Sequence, residues 1–153
     1  MTGIGPTIEI NVINLDVHNN TSGGIFVTDT AGGLTLDDLS GPTSVSGVGG
    51  NGLITALSPL TIAASATTSG GMTYTATDLA GARDNLLILP GVAVSDTTAS
   101  LTFNAGDDFI LADTASLSAA ATATINIDVG NADPGAGAVA NIFGALAAQG
   151  ERR

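Results

Sequence analysis

The sequence predicts an all-β fold, a parallel β-solenoid with three short strands per coil and about five coils, and three observations carry that reading. Apolar content is high yet nearly free of large rings: 44% of residues are hydrophobic, only 3% are aromatic, and mean hydropathy is +0.41. Such a chain buries a core, which a disordered acidic segment would not do, and it does so with Ala, Val, Leu and Ile. The apolar residues come in short alternating runs, and those runs echo one another along the chain.

The runs follow in order. Ile8, Ile10 and Val12 alternate with polar residues, so segment 1–12 reads as an N-terminal strand or cap. Then come Ile13-Leu15, Ile25-Val27, Leu34-Leu36, Val45-Val48, Leu53-Ile54, Leu60-Ile62, Met72-Tyr74, Leu86-Ile88, Val92-Val94, Leu101-Phe103, Phe109-Leu111, Leu117 and Ile125-Ile127. Each turns two or three side chains inward at period two, and Gly, Asn, Asp and Ser separate them. The 21 glycines supply tight corners.

The echoes set the stacking. INLDVHNN from Ile13 matches INIDVGNA from Ile125 at an offset of 112 (125 − 13), and the offset carries Gly23 onto Gly135, Val27 onto Val139 and Leu34 onto Leu146. GIFVTDTA from Gly24 matches DFILADTA from Asp108. LLILPGVAVS from Leu86 lies over FILADTASLS from Phe109, followed by LTFNAG over INIDVG. The first side is then Ile13-Leu15, Val45-Val48, Met72-Tyr74, Leu101-Phe103 and Ile125-Ile127. The second is Ile25-Val27, Leu53-Ile54, Leu86-Ile88, Phe109-Leu111 and the region of Val139. The third is Leu34-Leu36, Leu60-Ile62, Val92-Val94, Leu117 and Leu146. The coil length is about 24 residues, residues 13–148 are repeats, and 149–153 form a solvated tail. Segment 138–148 reads as a final coil or a capping helix, and the offset of 112 favours the coil.

Charge narrows the function. There is no Lys, Arg83, Arg152 and Arg153 are the only cations, and the net charge is −11. Nucleic acids and anionic membranes both require basic surface, so neither is an expected partner. No apolar run is long enough to cross a bilayer, so no membrane insertion is expected. Cysteine is absent, which removes disulfides, thiol nucleophiles and Cys-based zinc sites. The start, MTGIGPTIEI, lacks the basic and apolar regions of a signal peptide, so export information lies elsewhere or the chain is part of something longer.

GGIFVTDTAGGLTL, SPLTIAAS, GGMTYTATD, ASLTFNAGDDFILADTASLS and ATINIDVGNADPGAGAV span most of residues 8–148. In these segments the chain resembles the β-strand-repeat regions of large secreted bacterial exoproteins, the filamentous-haemagglutinin-like and adhesin-like proteins. The resemblance implies a right-handed β-helix, in keeping with the general hand of parallel crossovers. It also implies export and an extracellular or cell-surface role, with a surface glycan or protein as ligand. Such repeats normally sit in much longer chains.

Asn and Asp concentrate at the corner between the first and second sides: Asn20, Asp78, Asp84, Asp107, Asp108, Asn131 and Asp133. One reading is a column of oxygen ligands for Ca²⁺, which takes six to eight oxygens. The other is turn chemistry, because Asn and Asp cap their own turns and tolerate left-handed backbone. The glycine-rich nonapeptide calcium repeat is absent. Asp37-Asp38 and Asp107-Asp108 are paired carboxylates of the kind a glycosidase needs, but GDD at 106–108 has no His or Lys nearby to complete a polysaccharide-cleaving site. Asp84 beside Arg83 suggests a surface ion pair. His18 stands alone in HNNTSGG, a poor basis for a metal site or a Ser/His/Asp triad. Threonines at 28, 30, 73, 75, 77, 122 and 124 raise an ice-binding array, but in the stacking above they do not share one side. The expectation is therefore a structural or adhesive module without catalysis. The alternative is a subunit that self-associates end to end into an extracellular fibre, and a polysaccharide-active enzyme comes third.

Overall fold

The computed structural model describes residues 7–19, 23–40, 52–81, 83–130, 132 and 138–148. Among them there is no helix, and the strands are β1 (Ile8–Ile10), β2 (Asn14–His18), β3 (Phe26–Asp29), β4 (Leu34–Ser40), β5 (Gly52–Ala56), β6 (Leu60–Ile62), β7 (Ala66–Thr68), β8 (Met72–Ala76), β9 (Leu86–Ile88), β10 (Ala93–Asp96), β11 (Leu101–Asn104), β12 (Phe109–Leu111), β13 (Ser116–Ala119), β14 (Ala123–Asn126), β15 (Ala140–Ile142) and β16 (Ala145–Ala148). Every pairing is parallel.

The strands form a three-sided solenoid of about four turns. The first face is β1-β3-β5-β8-β11-β14. The second runs β6-β9-β12-β15 and the third β7-β10-β13-β16. The seven-residue β4 joins these two, pairing with β6 through Leu34, Thr35 and Leu36 and with β7 at Leu39, and β2 lies on its other side.

Strand alternation builds the core. Inward positions read BiBiB along β5 and β8, so every second side chain is buried. Stacking aligns these into columns: Ile8, Val27, Ile54, Tyr74, Phe103 and Ile125 on the first face, and Leu15, Leu36, Ile62, Ile88, Leu111 and Ile142 on the second. Tyr74 stacks on Phe103 with ring centroids 5.3 Å apart, and Phe109 tilts against Phe103 at 5.5 Å. Each fully buried Leu, Ile or Phe contributes about 1.5–3 kcal/mol. No coil encloses its own inward side chains, so each coil depends on the next.

Much of the expected stacking holds: Met72 pairs with Leu101, Leu86 with Phe109, Val94 with Leu117, and Leu117 with Leu146. LTFNAG over INIDVG is two residues out of register, because Leu101 pairs with Ala123 and Phe103 with Ile125. Segment 138–148 is strand, as the coil reading expected. Toward the N-terminus the faces are misassigned. Ile25-Val27 and Leu53-Ile54 belong to the first face, Leu34-Leu36 and Leu60-Ile62 to the second, and Leu15 pairs with Leu36. Ile13 and Ile125 are therefore not equivalent, and the 112-residue echo reflects biased composition. Segment 45–48 lies outside the described residues.

Candidate functional site

The Asx-rich corner joins the first face to the second, between β8 and β9 and between β11 and β12. Asp84 and Asp107 are buried there, 6% and 7% exposed, and Asp78 is half-buried. Their carboxylates serve the backbone. Asp107 Oδ2 accepts from the N–H groups of Arg83 (2.5 Å) and Asp84 (2.8 Å) of the preceding coil. Asp84 Oδ2 accepts from Leu79 N–H, closing its own turn. Asp108 Oδ1 accepts from Val139 N–H at 2.8 Å in the following coil, and Asn85 Oδ1 accepts from Asp108 N–H at 3.2 Å. Asp78 Oδ2 accepts from Ala132 N–H, while its Oδ1 is buried with no hydrogen-bond partner.

The glycines of this corner are set by the same packing. A Cβ at Gly106 would stand 2.7 Å from Asp78 Cα and 2.8 Å from Asp84 Cβ. GDD at 106–108 is thus a close backbone crossing. Arg83 meets Asp107 through its N–H, with φ of 96°, rather than pairing with the inward-turned Asp84 through its guanidinium.

The corner brings together Asp78, Asp84 and Asp107, with Asp108 turned to the next coil. Asn20, Asn131 and Asp133 lie outside the described residues. Among the described residues no three His, Cys, Asp or Glu side chains group to hold a metal ion. Asp37 is exposed. His18 closes β2 in the N-terminal coil, away from the corner carboxylates.

Two buried acids escaped sequence reasoning. Asp96, 3% exposed, ends β10 at an inward position. Its Oδ1 accepts from Thr98 N–H (3.0 Å) and Ala99 N–H (2.6 Å), and its Oδ2 from Gly71 N–H (3.0 Å) and the Thr68 hydroxyl (2.9 Å). Burial pushes this carboxyl up, but the donors outweigh burial and hold it below its ordinary value. Burial, with a smaller contribution from the Asp96 charge, raises the Tyr74 phenol, whose hydroxyl lacks a partner. Asp29, 1% exposed, ends β3 in the same way and accepts from Val12 N–H at 3.3 Å. Extending the alternation one step past Val27 and Val94 would have found both.

Four of the named threonines, Thr28, Thr73, Thr75 and Thr124, lie on the first face, while Thr30, Thr77 and Thr122 fall outside its strands. Glu9, Thr28, Thr55, Thr75, Asn104 and Asn126 form one outward column of the first face, and Phe26, Leu53, Thr73, Thr102 and Thr124 the next. Strand β8 carries Thr at both positions; its neighbours bring Asn, Leu or Phe into one of them. Asn126 Nδ2 donates to Asn104 Oδ1 (2.8 Å) and Asn104 Nδ2 to Thr75 Oγ1 (3.2 Å), so the column hydrogen-bonds along itself. A recess of about 290 Å³ at this face's edge is lined by Gly70, Gly71, Thr73, Ala99, Ser100 and Thr102.

The chain matches no protein-family model, and no match is found among curated proteins or solved structures, so the geometry above is what bears on function.

Proposed function

We propose that the chain is a structural and adhesive repeat module of an extracellular or cell-surface bacterial protein and works without catalysis. The observation that carries this reading is the use made of its acids: Asp84, Asp96, Asp107 and Asp108 accept backbone N–H groups that tie corners and coils together. A general acid or base needs a carboxyl free to exchange a proton with a substrate. The interior holds stacked aliphatic and aromatic side chains, leaving the outer faces for recognition of a glycan or protein. The resemblance to filamentous-haemagglutinin-like repeats supports the extracellular setting.

The test has two arms. Beads coated with the protein are expected to adhere to cells or to immobilised glycans, and bare retention equal to uncoated beads would remove the adhesive role. Incubation with acidic and neutral polysaccharides is expected to release no reducing ends. Cleavage that disappears in D107N or D108N would overturn the non-catalytic reading.

A further inference from the structure

Among the described residues, the large hydrophobic side chains that stay strongly exposed lie, Leu79 apart, in the two end coils. Ile8, Val12 and Ile13 are at one end; Val129, Val139, Ile142, Phe143 and Leu146 are at the other. Among the described strands, the same coils carry the outermost ones: β1 and β2 at the N-terminal end, and β14, β15 and β16 at the C-terminal end. We propose that these ends bind one another, so that copies of the chain stack head to tail into a continuous solenoid. This rests on the reading of the chain as a structural rod, and it names a second copy as partner.

The ladders specify the junction. Following each column from coil to coil and onto the next molecule sets Ile125 against Ile8, Ile142 against Leu15, and Leu146 against Val17. All three inward pairs are aliphatic, so the junction repeats the interface that already joins neighbouring coils. Outward, Asn126 meets Glu9 and Asn141 meets Asn14, which opposes no like charges. Strands β14, β15 and β16, with sequences ATIN, ANI and ALAA, carry no charge of the kind that keeps sheet edges apart. β2 pairs with both the Leu34 and Leu39 ends of β4, so it spans the width that β15 and β16 cover together. Parallel ladders continue only when both molecules point the same way. The contact is therefore heterologous and does not close, and its product is a filament. The net charge of −11 opposes it at long range, so added salt favours assembly.

The chain has no cysteine, which makes disulfide trapping clean. Stacked neighbours stand about 4.8 Å apart, inside the Cα separation a disulfide accepts. The full chain carrying E9C and N126C is expected to give a ladder of dimers, trimers and longer species on oxidation, lost on reduction. The pair E9C and N104C, one coil deeper, gives no such ladder. I142K is expected to abolish filaments by electron microscopy while the β circular dichroism signal persists. Wild-type chain that stays monomeric by light scattering at high concentration and raised salt would overturn the proposal. So would equal trapping by both cysteine pairs, or a discrete dimer from E9C alone, which joins like ends. Failure here with no polysaccharide cleavage leaves the structural reading standing.

Discussion

Asp96 gives the sharpest test of how the corners are held. Its two oxygens receive four donors, and replacing it with Asn leaves one acceptor oxygen. The best arrangement keeps that oxygen toward Thr98 and Ala99 and turns the Thr68 hydroxyl to accept from the new amide. Gly71 N–H is then stranded beside an NH₂ group. One orphaned donor costs about 1–3 kcal/mol, and the surviving bonds lose their charge assistance, so Asp96→Asn is expected to cost about 2–3 kcal/mol. For a chain of this length that lowers Tm by roughly 4–12 °C. The pH dependence has a definite sign. A carboxyl held below its ordinary 3.8 in the folded state stabilises fully above that pH, and its contribution is lost as pH falls through the folded value. Urea unfolding followed by circular dichroism should show a gap between wild type and Asp96→Asn that is constant from neutral to mildly acidic pH and closes below about pH 3.8. A gap under about 0.5 kcal/mol at neutral pH, or one that survives strong acid, would refute the reasoning.

Gly106→Ala forces a Cβ to within 2.7 Å of Asp78 Cα, backbone that cannot swing away, and is expected to cost about 1–3 kcal/mol in the same unfolding assay. Phe103→Ala removes the ring between Tyr74 and Phe109 and should cost about 3–5 kcal/mol, with the loss of protection from hydrogen exchange centred on β8, β11 and β12. Calcium added after EDTA treatment is expected to leave Tm unchanged, because the corner carboxylates already accept backbone N–H groups. A rise of several degrees, abolished by Asp78→Asn, would show a calcium site using the unpartnered Asp78 Oδ1.

The fold was legible because alternation survives wherever a strand is flanked by small polar residues, as in Leu101-Phe103 and Phe109-Leu111. Register was legible on steady steps and on two longer ones, since Met72 to Leu101 and Leu117 to Leu146 are both steps of 29 and stack as expected. Leu86 to Phe109 and Val94 to Leu117 are both steps of 23, and there the expected stacking holds. Elsewhere the step ranges widely: Leu101 to Ala123 is 22 residues, and Phe109 to Ala140 is 31. Insertions fall in the corners, where they disturb no ladder, so no fixed period follows the chain. The N-terminal coils were misplaced because the one strand β4 serves two faces across Asp37-Asp38, with no glycine or break in the strand to mark the corner. At the corner, residue type was readable but its task was not. Which N–H groups face Asp107 depends on the approach of the previous coil at Arg83 and Asp84.

These placements also decide where recognition has room to occur. A solenoid has the same thin interior at every level, and here the described columns fill it with aliphatic and aromatic side chains. Asp29 and Asp96 enter it at strand ends and are taken up by backbone donors of the adjoining turns, whereas the Tyr74 hydroxyl enters from the middle of β8 without a partner. Burial then declines outward along the axis: β8 is buried at every second residue, β14 holds its inward Ile125 half-covered, and β16 is exposed throughout. On the first face, the outward side chains from Thr75 through Asn104 to Asn126 hydrogen-bond to one another along their column. Among the described residues, the outermost strands of the sheets and, Leu79 apart, the exposed large aliphatic side chains lie together in the end coils. In the proposed assembly, one rod meets another through one apolar, register-defined joint, and the side faces are left for the glycan or protein contacts proposed above.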